Sequence, residues 1–187
     1  MASILNVDQI NNAAGTSAVT IDPSTGKPSF PNGVTLPAGA GGKVLQVVSA
    51  VSTGSLNTTS TLFADMPGMS ATITPNSSSS KIFLVYDWHV YLTEASSGDA
   101  WLTAPHRLLR DTTVLKDTTT YGTGVNFYTA SERMMLQQSY TYFDSPSTTS
   151  AVTYKTQGKV NSSSFQTIFN DPGYAAGGTI TLMEIAQ

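Results

Sequence analysis

The chain contains no cysteine, which removes disulfide frameworks, thiolate metal sites and cysteine nucleophiles together. It is also poor in charge: 11% of its residues are charged, against roughly 25% in an average soluble domain. The nine Lys and Arg residues are scattered, and the formal net charge is −3. No cationic stripe exists for phosphate contacts, so no nucleic-acid partner is expected. No apolar run approaches the length of a membrane span, and residues 1–20 lack both a basic start and a continuous apolar core. Neither a membrane partner nor a Sec-type export signal is therefore expected. Only two histidines occur, and no Gly-x-Ser-x-Gly elbow or Ser-His-Asp order accompanies them.

What fills the space is hydroxyl and β-branched chemistry. Ser and Thr make up roughly a quarter of the 187 residues, and 40% of residues are still hydrophobic. That mixture suits sheets and tight turns and resists disorder. The length fits one sandwich-sized core and not two domains.

The most informative stretch is SATITPNSSSSKIFLVYDWHVYL, residues 70–92. A Pro-Asn-Ser turn joins two strands, and the second is apolar on both faces. Ile82, Leu84, Tyr86, Trp88, Val90 and Leu92 form one face; Phe83, Val85 and Tyr91 form the other, interrupted by Asp87 and His89. An antiparallel sheet normally leaves one face polar and wet. A second apolar face needs a cover, and another copy of the chain is the simplest one. Phe83, Val85, Asp87, His89 and Tyr91 are accordingly expected at a subunit interface. Asp87 and His89 lie two apart on one face, so they can hydrogen-bond or share a metal. The reading favours a satisfied polar patch inside the interface, because a charge persists there only when paired; no metal, cofactor or catalytic residue is assigned.

Residues 1–43 differ from the rest. Very short apolar pieces alternate with turn signals at Asn11–Gly15, Asp22–Gly26, Asn32–Gly33 and Ala38–Gly42. None can form its own core. Ile4, Leu5, Val7 and Ile10 gain burial only against copies of themselves or a partner surface, so this segment reads as an attachment arm or short stalk. Residues 44–187 read as the sandwich, with strands expected near 44–51, 69–74, 81–92, 101–109, 112–116, 133–143, 150–160, 164–169 and 178–186. Eight or nine strands of this kind fit a jelly roll, which hides most sheet edges.

Three segments read as loops: 93–101, 117–132 and 170–178. They carry Trp101, Tyr121, Phe127, Tyr128 and Tyr174 among Gly and small polar residues. Exposed rings of this kind stack on sugars or pack on a partner protein, although each ring taken singly is better read as a cap on the sandwich. The acidic residues sit mostly in separate turns, so no carboxylate pair for polysaccharide cleavage is apparent.

The runs SATITPNSSSSKI (70–82), SYTYFDSPSTTSAVTYK (139–155) and GGTITLMEIAQ (177–187), with the start SILNVDQINNAAGTSAVTIDPSTG (3–26), together resemble a family of virion structural proteins of tailed bacteriophages. The resemblance covers most of the chain. It implies an all-β fold: a trimeric, tumour-necrosis-factor-like jelly-roll sandwich preceded by a short β arm that attaches to the particle. It also implies a non-enzymatic virion protein, with other virion proteins and a host surface glycan as partners. Fibres of this family carry a longer shaft than this chain does. A tail fibre or fibre tip therefore competes with a capsid decoration protein or head fibre. A carbohydrate-binding lectin and a polysaccharide depolymerase are the readings from other classes.

Overall fold

Every regular element in the described residues is a β-strand. The computed structural model describes residues 9–11, 17–30, 43–94, 100–118, 123–127, 133–173 and 177–187. By contact, the chain divides into two units, Met1–Gly41 and Gly42–Gln187.

In the first unit, β1 (Gln9–Asn11), β2 (Ser17–Ile21) and β3 (Pro28–Ser29) form an antiparallel sheet in that order. The β2–β3 turn is built by Asp22. Its Oδ1 accepts from Ser24 N (2.8 Å), Ser24 Oγ (2.6 Å) and Thr25 N (3.1 Å). Gly26, at φ +68°, closes the turn by donating to the Asp22 carbonyl at 2.8 Å. These donors, Ser24 first, hold the Asp22 carboxyl down at about 2. Ile10 and Phe30 are about half exposed. Among the described residues this unit buries no apolar side chain, as a three-stranded sheet of such short strands must.

The second unit carries β4 (Val44–Val51), β5 (Leu56–Thr58), β6 (Ala64–Ile73), β7 (Lys81–Glu94), β8 (Ala100–Ala104), β9 (His106–Arg110), β10 (Thr113–Asp117), β11 (Thr123–Phe127), β12 (Arg133–Asp144), β13 (Val152–Gly158), β14 (Phe165–Phe169) and β15 (Thr179–Ile185). β7 organises one sheet. β12 pairs along one side of it, from Arg133↔Thr93 to Asp144↔Ile82. Its other side pairs first with β15, over Lys81–Asp87, and then with β14, over Val90–Glu94. β4 lies beyond β15 and β5 beyond β14. The second sheet runs β10-β9-β13-β6, and β8 pairs with β11 separately. All pairings are antiparallel, an arrangement consistent with a β-sandwich.

The core lies between the two main sheets. Ile82, Leu84, Tyr86, Trp88, Val90 and Leu92 from β7 are all at most 1% exposed and pack with Met69, Ile73, Leu108, Tyr154, Ile180 and Leu182. Burial on this scale is the main favourable term for the fold. Trp88 stacks on Tyr140 (5.4 Å between centroids), and His106 meets Trp88 edge-on at 4.5 Å. One polar tie crosses between sheets: Asp144 Oδ2 on β12 accepts from Arg110 Nη1 and Tyr154 OH, each at 2.7 Å. At 8% exposure, Asp144 needs these donors.

Three expectations from the sequence need correction. The single strand expected over 101–109 is two strands, because Pro105 has no N–H to continue the ladder; β8 ends before it and pairs with β11 instead. The loop expected over 117–132 contains β11, and the loop over 93–101 gives its last two residues to β8. Trp101 and Phe127 therefore lie on paired strands, not in loops. β5, three residues long, carries no sequence signal strong enough to be read.

Candidate assembly face

Pairing register places side chains in rows across the outer face of the β7 sheet. The first row is Val47–Met183–Phe83–Phe143, the second Ser49–Thr181–Val85–Thr141, and the third Val51–Thr179–Asp87–Ser139. Next come His89–Gln137 and, at the β14 end, Asn57–Ile168–Tyr91–Met135. Two apolar rows thus flank hydroxyl and amide positions. Val47 (56%), Val51 (57%), Phe143 (58%) and Met135 (47%) are strongly exposed, while Phe83, Val85, Tyr91, Ile168 and Met183 are half-buried. The first row, apolar across four strands, with the exposed Val51 and Met135 in later rows, marks this face as an interaction surface.

The polar groups in this face are held by one another. Ser49 Oγ and Thr181 Oγ1 are 2.9 Å apart. Asp87 Oδ2 accepts from Thr179 Oγ1. His89 is different: it is 1% exposed within the single chain, and its Nε2 lies 3.0 Å from the Asp171 carbonyl. That residue is already covered by its own chain, so of the five interface candidates only Phe83, Val85, Asp87 and Tyr91 are left partly open.

The outer face of the other sheet has the opposite character. Arg107 Nε donates to Gln157 Oε1 at 2.6 Å, Gln157 donates to Asp65, and Lys155 pairs with Asp65 at 2.9 Å. Thr72 and Thr153 bond each other at 2.8 Å. Burial raises the Asp65 carboxyl, but Lys155 and Gln157 more than offset it and leave the group below its ordinary value. Arg107 and Lys159 sit over the Phe63 ring at 4.3 and 4.8 Å. Apart from Val114, 43% exposed on the edge strand β10, that face is closed by its own charges and hydrogen bonds.

Phe143, Met135, Met183, Val47 and Val51 were not among the residues singled out in the sequence. Their signal was available: alternation in SYTYFD sets Phe143 on the face of Ser139 and Thr141, and TITLMEIA is apolar on both sides. Matching them to Phe83 required the register, which is a long-range property. Of the arm residues, Ile10 is described and exposed, whereas Ile4, Leu5 and Val7 lie outside the described residues. Tyr121, Tyr128 and Tyr174 also lie outside them, as do the side chains of Trp101 and Phe127. Among the described residues no group of three or more His, Asp or Glu could hold a metal ion, and no helix is long and apolar enough to cross a membrane. No protein-family model and no curated protein matches the chain.

Proposed function

We propose that the chain is a non-enzymatic structural protein of a tailed-phage virion, a homotrimer whose copies meet through the outer face of the β7 sheet. On this reading the N-terminal arm attaches it to the particle, and the sandwich projects as a fibre or fibre tip that contacts the host surface. One observation carries the assembly: two outer sheet faces of one sandwich differ, one closed by its own charges and hydrogen bonds, the other open and lined by Val47, Phe83, Met135, Phe143 and Met183. The virion setting rests on the sequence resemblance.

The strand order supports a jelly roll. Taking β4, β6, β7, β9, β10, β12, β13 and β15 as strands 1 to 8, the sheets read 1-8-3-6 and 2-7-4-5, with successive strands mostly crossing between sheets as in a double Greek key. Decoration of the capsid is the second reading, favoured because only 14 residues of sequence (30–43) separate Ser29, the end of β3, from Val44, the start of β4.

Light scattering on the purified full chain tests the assembly, and a trimer is expected; a monomer at micromolar concentration overturns it. Antibody labelling of intact particles tests the setting. Label at the tail supports the fibre, label over the head supports decoration, and particles without the protein overturn both.

A further inference from the structure

The chain contains two Asp–Pro bonds, Asp22–Pro23 and Asp171–Pro172. Such bonds are chemically weak in acid. The side-chain carboxyl can close a five-membered ring on its own main-chain carbonyl, and a proline nitrogen is a better leaving group than a secondary amide. The two bonds sit in different surroundings, and the difference has chemical content.

At Asp171 the carbonyl of the bond to Pro172 faces His89 Nε2 at 3.0 Å. A carbonyl only accepts, so Nε2 is the donor; Nδ1 has no partner among the described residues. The imidazole is fixed, being 1% exposed on the central strand β7. The segment is pinned against that strand. Asn170, at φ +56°, donates its N–H to the His89 carbonyl at 3.0 Å, and its Oδ1 accepts from Gly178 N at 3.0 Å. The Asp171 carboxyl is turned back on its own chain, with Oδ1 accepting from Gly173 N at 2.9 Å. Pro172 and Gly173 are exposed. The charged side chain on the same face of β7, Asp87, is engaged by Thr179. At Asp22 the carbonyl accepts from a main-chain N–H, that of Gly26, and three donors converge on Oδ1 of the carboxyl. Those donors draw charge from the oxygens that would have to attack.

We infer that Asp171–Pro172 is a self-cleavage site, with Asp171 as the internal nucleophile and His89 as the donor that stabilises the developing oxyanion. An Asp171 carboxylate oxygen adds to the Asp171 main-chain carbonyl carbon. Negative charge moves to the carbonyl oxygen, where the His89 Nε2–H already points. The bond to Pro172 then breaks as its nitrogen takes a proton from solvent acid, freeing Pro172 as a new amino terminus. The cyclic anhydride left on Asp171 adds one water and opens to a C-terminal aspartate. The intramolecular attack carries the large effective concentration of such ring closures. The released segment contains β15, which is paired on both sides, with β4 and β7. It stays in the sheet, and the cut appears only on denaturation.

The test is incubation of the full chain in mildly acidic buffer, with intact mass and N-terminal sequencing read after denaturation. Native protein is expected to give fragments ending at Asp171 and beginning at Pro172 at least about tenfold faster than cleavage at Asp22–Pro23. In concentrated urea the two bonds become equivalent and the ratio falls toward unity. His89→Leu, which removes the N–H donor, is expected to lose the selectivity, and Pro172→Ala, at an exposed position, to lose the fragments. Comparable rates at the two bonds in native protein, or selectivity that survives urea, overturn the inference. So does selectivity that survives His89→Leu in a folded variant; should that variant not fold, the urea comparison on the unaltered chain decides.

Discussion

Phe83 on β7 and Phe143 on β12 stand directly opposite each other across the ladder, with ring centroids 5.3 Å apart and planes tilted by 38°. The pair is on the outer side of the sheet, where Phe143 is 58% exposed. Aromatic cross-strand pairs add to sheet stability. Exposing this one to water forfeits most of the burial that a single-sided cover would recover. The pair therefore anchors the first prediction.

Val85 lies one row from Phe83 on the same face and is half-buried in the single chain. Val85→Asp places an unpaired charge where the next copy is proposed to sit, at a cost on the order of 3 kcal/mol or more per chain. Light scattering should show the assembly dissociating, while circular dichroism reports an intact β spectrum. A trimer that survives with Val85→Asp sends the interface elsewhere.

Leu84 is the neighbouring residue on the opposite face and is fully buried. Leu84→Ala opens a cavity between the sheets and should cost about 2 to 5 kcal/mol. Its signature is a lower melting temperature with the oligomeric state of the folded protein unchanged. The two substitutions, one residue apart, separate assembly from folding.

That contrast rests on period-two alternation, the part of the fold most legible in the sequence. Ile82 through Leu92 alternate inward in the structure as the pattern predicts, because the direction of a strand side chain is fixed by local geometry. What escaped the sequence depends on partners distant in the chain. The cover over His89 comes from Asp171, 82 residues on. The donors to Asp144 come from strands β9 and β13. The break at Pro105 falls within a largely apolar run, and only the missing N–H of the proline marks it. The row joining Val47, Met183, Phe83 and Phe143 draws on four strands and needs the register of three ladders.

Gly68 makes a separate prediction about the backbone. It lies in β6 at φ +75°, and a Cβ there would meet the main chain of residues 51–53, including Ser52 C at 2.9 Å. Both the dihedral and the space demand glycine. Gly68→Ala should destabilise by about 1 to 3 kcal/mol through strain alone, read as a lower urea midpoint with an unchanged slope. An unchanged midpoint would show that β6 can move away from residues 51–53 at no cost.

The last prediction is a pH profile. His106 is fully buried against Trp88 and Tyr140. Burial, helped by Lys116 and opposed by Asp117, pushes its imidazole down from 6.5 to about 4. In the unfolded chain the ring returns to its ordinary value and takes up a proton at higher pH than the folded protein does. Stability is therefore unaffected by this group above about 6.5. It falls as the pH drops through the window to about 4, by at most about 1.4 kcal/mol per pH unit, and levels off below. Glu184 acts in a lower window. Burial raises its carboxyl, but donors led by Gln46 Nε2 (2.7 Å), with Asn76 N (2.7 Å) and Asn76 Nδ2 (2.8 Å), overturn that and hold it below its ordinary 4.5. Its contribution is present above 4.5 and lost as the pH falls through the lowered value. Urea titrations across this range should thus show two descending segments. His106→Phe, which keeps a ring between Trp88 and Tyr140 without a titrating nitrogen, should flatten the upper segment and leave the lower one. An upper segment that persists in His106→Phe would mean that another group drives it.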